Sequence, residues 1–259
     1  MLAEKIKQKL QNKKPSIGTW MSMAHPSIAE ILAMAGYDWV VVETEHTAID
    51  VSEVLRMVIA IEQRGSIPLV RLASVDPVQA KAVLDSGAAG VIVPMVNTKA
   101  EAALAVAMTK YPPMGTRGVG LARAQGYGVD FDVYVKNANR DTLVIVQIEH
   151  IDAVNNIDEI LSVPGIDGTF IGPYDLSMSL GIPGQLTHPM VVEAKEKVLK
   201  AVLKKGLAAG IHFVQPNTAV SDCEEAVKAG YTFIAVGTDI LFLGDSARSM
   251  QDALKKSIG

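Results

Sequence analysis

Residues 143–150 read LVIVQIEH, an apolar run of buried-strand type that ends in Gln147, Ile148 and Glu149. Strand side chains alternate, so Gln147 and Glu149 share one face while Ile148 takes the other. A carboxylate at the mouth of a core strand is costly unless something positive meets it. The next strand, GTFIGP, leads into GPYDLSMSLG and supplies a second acid, Asp175. Two carboxylates brought together from adjacent strands call for a cation. Oxygen-only ligands fit a hard divalent ion, Mg²⁺ or Mn²⁺ with Co²⁺ as a further candidate, with water and substrate in its other positions. The bland alternative for each acid is a structural ion pair. In the same motif Gly172 lets backbone approach a ligand closely. The amides of Tyr174 and Asp175, at the start of a short helix, could hold a substrate carboxylate, unless the segment is an ordinary strand-to-helix turn.

The other strand ends are also polar: Trp20; Glu43, Glu45 and His46; Arg71; Pro94; His212 and Gln215; Gly237 and Asp239. Arg71 suits an anionic substrate oxygen, or else only neutralises Glu43 or Glu45. His46, flanked by acids, is placed to be a general base. His212 ends a strand and lines the same mouth, whereas His25, His150 and His188 look like helix-start or loop residues. A metal that chelates a 2-oxo acid acidifies the neighbouring C–H. With an arginine on the enolate oxygen and a base to move the proton, this is the equipment of a metal-dependent aldolase. No strand ends in lysine, which disfavours a Schiff-base mechanism.

Alternating elements must position these groups. An opening helix (2–12) precedes strands at 16–21, 38–45, 67–73, 89–96, 142–149, 168–173, 207–214 and 231–239, with helical patterns between them. Residues 111–140 read as an irregular excursion. Four joints, AGYDWVVVE, SGAAGVIVP, PGIDGTFIG and AGYTFIAVG, repeat a helix-stopping glycine before a buried strand. Strands apolar on both faces are parallel strands covered on both sides. Eight such units, without linker or composition break, predict an α/β fold: one (β/α)8 TIM barrel spanning residues 1–259. A doubly wound sheet would want a glycine-rich first turn, which GTWMSMAHP does not supply.

Composition narrows the function classes. The 259 residues are 49% hydrophobic and carry a net charge of −4, so a nucleic-acid binder is not expected. One cysteine, Cys223, excludes a disulfide framework and a thiolate cluster. No apolar run is long enough to span a membrane, and the amphipathic N-terminus lacks a signal-type apolar core. A cytoplasmic enzyme is the expectation.

Several stretches resemble the HpcH/HpaI aldolase family: ETEH, LVRLASVDPVQAKAVLDSGAAGVIVPMV, YPPMGTRGVG, VQIEHIDAVNNIDEI, IDGTFIGPYDLSMSLG and IAVGTD. The resemblance covers about residues 3–255. It implies a class II pyruvate aldolase that cleaves a 4-hydroxy-2-oxo acid to pyruvate and an aldehyde through a metal-bound enolate. It also implies a homohexamer, a trimer of dimers, whose last helix is swapped between neighbours. Carried over by residue, Glu149 and Asp175 match the metal ligands and Gln147 the glutamine beside them. Arg71 matches the arginine on the pyruvate oxygen and His46 the catalytic histidine. Asp85 matches an aspartate that partners that histidine across a subunit boundary. Gly172 and Tyr174 match the amides on the pyruvate carboxylate; Trp20 and His212 join the substrate pocket. Three positions depart from the pattern. Glu43 stands where some members carry an aspartate paired with the histidine, Tyr174 replaces a small residue, and His212 replaces an aliphatic one. The loop 115–128, with Arg117 and Arg123, could close over the site or serve a subunit contact. Competing readings are a CoA-thioester lyase of the citrate-lyase type, an oxaloacetate decarboxylase, and a catalytically silent barrel serving assembly.

Overall fold

β-branched and aromatic residues that alternate between two apolar environments make strands that need cover on both faces. In the computed structural model, which describes residues 2–258 and side-chain surroundings from residue 4, these strands close into a parallel barrel in chain order. The strands are β1 (Ser16–Met21), β2 (Trp39–Glu43), β3 (Ile67–Arg71), β4 (Gly90–Val93), β5 (Leu143–Ile148), β6 (Gly168–Ile171), β7 (Ala208–Phe213) and β8 (Phe233–Thr238), with β8 pairing back to β1. Helices α1 (Leu2–Gln11), α2 (Pro26–Met34), α3 (Val51–Gln63), α4 (Pro77–Asp85) and α5 (Lys99–Ala107) accompany the first half. A 3₁₀ segment (Arg123–Gly128), α6 (Phe131–Asp141), α7 (Ile151–Asn155), α8 (Ile157–Ile160), α9 (Pro173–Ser179), α10 (Pro189–Lys204), α11 (Ala219–Ala229) and α12 (Asp239–Ile258) accompany the second. No helix among the described residues is long and apolar enough to cross a membrane.

The alternation sorts side chains into two cores. On β5, Val144, Val146 and Ile148 pack outward under the helices, while Leu143 and Ile145 join an inner cluster with Trp39, Val41, Leu69, Ile92, Phe170 and Phe233. Ile6 and Leu10 of α1 belong to this inner cluster, so the opening helix plugs the N-terminal end of the barrel. Gly18 is a packing requirement: a Cβ there would lie 2.1 Å from the Trp39 indole. The four glycines of the repeated joints, Gly36, Gly87, Gly165 and Gly230, have φ of 91°, 103°, 98° and 109°. That left-handed geometry turns each helix into the next strand at little cost only for glycine.

Three expectations need correction. The supposed irregular stretch 111–140 holds the 3₁₀ segment and α6. That helix hides from a periodicity reading because Val133 is exposed and its buried side chains are only Ala138 and Asp141. Asp175 is not a strand residue: it stands on α9, while Glu149 follows β5 directly. Asp239 opens α12 as a clamp, with its carboxylate accepting from the N–H groups of Ser22, Met23 and Ile240 at 2.8–3.0 Å. Beyond Asp239, α12 leaves Ile240, Leu243, Met250, Leu254 and Ile258 exposed.

Candidate active site

Toward the C-terminal ends the inner row changes from apolar to polar. Glu43 and Arg71 are register partners across β2 and β3. Glu43 is buried, and its Oε2 accepts from Trp20 Nε1 at 2.5 Å and from Arg71 Nε at 2.7 Å, with Arg71 NH2 at 2.5 Å. Its Oε1 accepts from the N–H groups of Glu45 and His46 at 2.7 and 3.1 Å. Burial works to raise this carboxyl, but the Arg71 charge and the bonds from Arg71, Trp20 and His46 outweigh it and hold its pKa below the ordinary value. Glu43 is therefore an ionised anchor whose lone pairs are spoken for, not a free base. Arg71 NH1 also approaches Glu45 Oε2 at 3.2 Å, so the guanidinium does pair with both acids. The Glu45 contact is ionic and not a hydrogen bond, so N–H groups of both terminal nitrogens are left for a ligand.

Across the mouth, Glu149 is buried and has no ion pair among the described residues. Its Oε1 accepts from Met95 N at 2.9 Å, and its Oε2 accepts a short bond from Gln147 Nε2. Met95 holds φ at 51°, a costly conformation for a side-chain-bearing residue that aims its N–H at the carboxylate. Gly172 makes room, since a Cβ would fall 2.8 Å from Glu149 Oε2. Burial first, and then the charges of Glu45 and Asp175, push Glu149 up to about 7 despite the Met95 bond. Glu45 is raised to about 6, by burial and by Glu43 and Asp175, against the pull of Arg71.

Two carboxylates thus flank the Arg71 guanidinium, and Glu149 and Asp175 are charge-coupled to Glu45 in the same mouth. Gln147 Oε1 and Glu45 Oε2 are buried without a hydrogen bond. An all-oxygen set, an uncompensated buried carboxylate and an orphaned amide oxygen fit a hard divalent cation. No group of three or more histidine, cysteine or acidic side chains at metal-binding spacing occurs among the described residues. Two protein carboxylates would leave the remaining positions to water and substrate.

The histidines divide by surroundings. His46 sits in the loop after β2 with its side chain 66% exposed and Nε2 3.8 Å from Glu45 Oε2. His25, His150 and His188 are N-caps that accept through Nδ1 from an N–H two residues on, which leaves them with helix-start duty as expected. His212 lies on β7, stacked on Trp20. Tyr174 is exposed on α9, whose first turn offers free amides after Gly172. Within one chain Asp85 is not brought to His46. It ends α4 and pairs with Arg117 at 2.7 Å, a buried guanidinium laid against Tyr111 and Tyr134. Arg123 binds Glu62 and the Ser86 carbonyl, so both loop arginines have partners away from the mouth. The residues that sequence reasoning left without a role are Glu45 and Met95. Glu45 had a signal in its place between Glu43 and His46; Met95 acts through backbone geometry, which residue type does not announce.

A family model described as HpcH/HpaI aldolase/citrate lyase matches residues 16–244. The chain is 37% identical over 253 residues to a protein of Escherichia coli (strain K12) named 5-keto-4-deoxy-D-glucarate aldolase, with 97% of both chains covered. A solved HpcH/HpaI aldolase/citrate lyase family protein from Burkholderia cenocepacia J2315 superposes with a TM-score of 0.91 at 35% identity, over 97% of this chain and 99% of that one. A HpcH/HpaI aldolase from Desulfitobacterium hafniense DCB-2 superposes at 0.88 and 33% identity, over 96% of each.

Proposed function

The chain belongs to the HpcH/HpaI aldolase/citrate lyase family of carbon–carbon lyases, and from that premise we propose that it is a divalent-metal-dependent aldolase that cleaves a 4-hydroxy-2-oxo acid to pyruvate and an aldehyde. The observation that carries this reading is the excess of carboxylate over guanidinium at the strand ends, with Glu149 buried, raised to about 7 and without a cationic partner. Glu149 and Asp175 would hold the cation, and Gln147 fixes the Glu149 carboxylate through its amide. A bound Mg²⁺ or Mn²⁺ supplies Lewis-acid polarisation of the 2-oxo group.

The chain's own residues do the rest. Arg71, oriented by Glu43, presents its remaining N–H groups to the oxygen on which negative charge develops, a preorganised stabilisation. The Tyr174 and Asp175 amides, with Gly172 keeping the approach open, receive the substrate carboxylate. His46, coupled to Glu45, takes the proton of the 4-hydroxyl as the carbon–carbon bond breaks. Asp85 would orient His46 from a neighbouring copy, because within one chain it is bound to Arg117. The assembly is then an oligomer in which sites are completed between subunits.

The first substrate to try is 5-keto-4-deoxy-D-glucarate. It carries a hydroxyl two carbons from its keto group, so a retro-aldol step splits it into pyruvate and a three-carbon hydroxy-aldehyde acid. Pyruvate release should require Mg²⁺ or Mn²⁺ and vanish in Asp175→Ala. Release that persists undiminished in that variant would remove Asp175 from the metal role.

A further inference from the structure

Beneath the strand-end carboxylates lies an aromatic floor. The Trp20 ring is 5.4 Å from Phe170 and 4.9 Å from the His212 imidazole, stacked at 19°. His212 is pinned at one nitrogen only: Nε2 is 2.9 Å from the Gly237 carbonyl oxygen. A carbonyl can only accept, so Nε2 carries the proton. Gly237 itself is constrained, with φ at 62° and Phe242 2.3 Å from where a Cβ would stand. Burial pushes His212 down to about 4, which leaves the ring neutral near pH 7 and Nδ1 bare. Among the described residues Nδ1 meets no hydrogen-bond partner, and His212 is part-exposed at the barrel mouth. The same indole has the Arg71 guanidinium 5.4 Å from its ring centre, so His212 and Arg71 flank one ring.

We propose that His212 is a specificity-determining residue, whose Nδ1 accepts a hydrogen bond from a hydroxyl on the third carbon of the 2-oxo acid. The site then admits a 3-hydroxy-2-oxo acid beside pyruvate and favours it over an analogue with methyl at that carbon. This rests on the aldolase reading above. With its carboxylate and keto oxygen engaged near Glu149, Asp175 and Arg71, a 2-oxo acid has its third carbon left to meet the floor. A methyl group there strips water from Nδ1 and returns nothing, whereas a hydroxyl replaces the lost bond. A ring this weakly basic acts in binding and not as the base.

The test is calorimetric binding of pyruvate, hydroxypyruvate and 2-oxobutyrate to the Mg²⁺-supplemented protein. The last two are close in size and differ in hydroxyl against methyl. Wild type should bind hydroxypyruvate about tenfold or more tighter than 2-oxobutyrate; His212→Leu should lose that preference and His212→Asn should keep part of it. An equal ratio in wild type and His212→Leu overturns the assignment, as does a wild-type preference for 2-oxobutyrate. Binding of none of the three acids overturns the aldolase reading itself, and this assignment with it. A measurement that needs no variant is ¹⁵N NMR of the imidazole. It should show a proton on Nε2 and a bare Nδ1 whose resonance moves with hydroxypyruvate and stays with 2-oxobutyrate; a proton on Nδ1 contradicts the assignment.

Discussion

At the scale of single residues, the site is organised by what holds Arg71. Glu43 meets it with both Nε and NH2, and Trp20 secures the same carboxylate oxygen from the other side. Convergence of two adjacent nitrogens on one carboxylate oxygen is specific to a planar guanidinium, so lysine is no substitute. Arg71→Lys should keep the charge and the fold yet lower kcat/KM by roughly 10²–10³, the usual cost of losing one oriented donor on a developing oxyanion. Steady-state kinetics alongside a thermal melt would check this. A turnover within a fewfold of wild type would return Arg71 to neutralising Glu43 and Glu45. Much of this cluster was legible in the sequence, since Glu43, Arg71, Gln147 and Glu149 all stand at or beside strand ends. Their division of labour was not. Whether Glu43 is a base or an anchor depends on four hydrogen bonds from Trp20, Arg71 and two backbone amides and on the Arg71 ion pair, and those are tertiary facts.

At the scale of elements, the succession of helix and strand patterns, strands apolar on both faces and a glycine at four of the joints were enough to give the barrel. The stretch 111–140 was not readable, because α6 is held by polar anchoring and not by an apolar stripe. Lys110 is the anchor. Fully buried, it donates through Nζ to the carbonyls of Asn139 and Thr142 at 2.9 and 2.7 Å, satisfying the C-terminal end of α6. A buried lysine in a loop-like stretch gives no periodic signal. Burial lowers its pKa to about 8 in the folded state. The unfolded chain therefore binds more protons between about pH 8 and 10.4, and stability rises with pH across that window. The rise attributable to Lys110 is about 3 kcal/mol. Chemical denaturation across this range should show it in wild type and not in Lys110→Met, which will be less stable at high pH for lack of the two bonds. Parallel curves for the two proteins would mean that Lys110 titrates as an ordinary exposed lysine in solution.

At the scale of the whole molecule, two features of the chain face outward. α12 leaves a row of apolar side chains in solvent after its buried first residue, and the exposed His46 side chain reaches Glu45 Oε2 at 3.8 Å. Both features accord with the proposal that sites are completed between copies, and contacts of that kind would leave no trace in one chain's periodicity. If Asp85 serves a neighbour's His46, His46→Ala and Asp85→Ala will each be nearly inactive. Co-refolding the two should restore a fraction of wild-type activity, since some sites then pair an intact His46 with an intact Asp85. Mixtures no more active than their parents would confine Asp85 to its bond with Arg117.

The central claim is that these strand ends hold a divalent cation and make an enolate from a 2-oxo acid. Exchange of the pyruvate methyl protons for deuterium, followed by NMR, tests it before any aldehyde is known. Exchange should be rapid with Mn²⁺ or Mg²⁺, stop with EDTA, and be lost in Asp175→Ala. Exchange unaffected by EDTA, or absent with either metal, would contradict the claim.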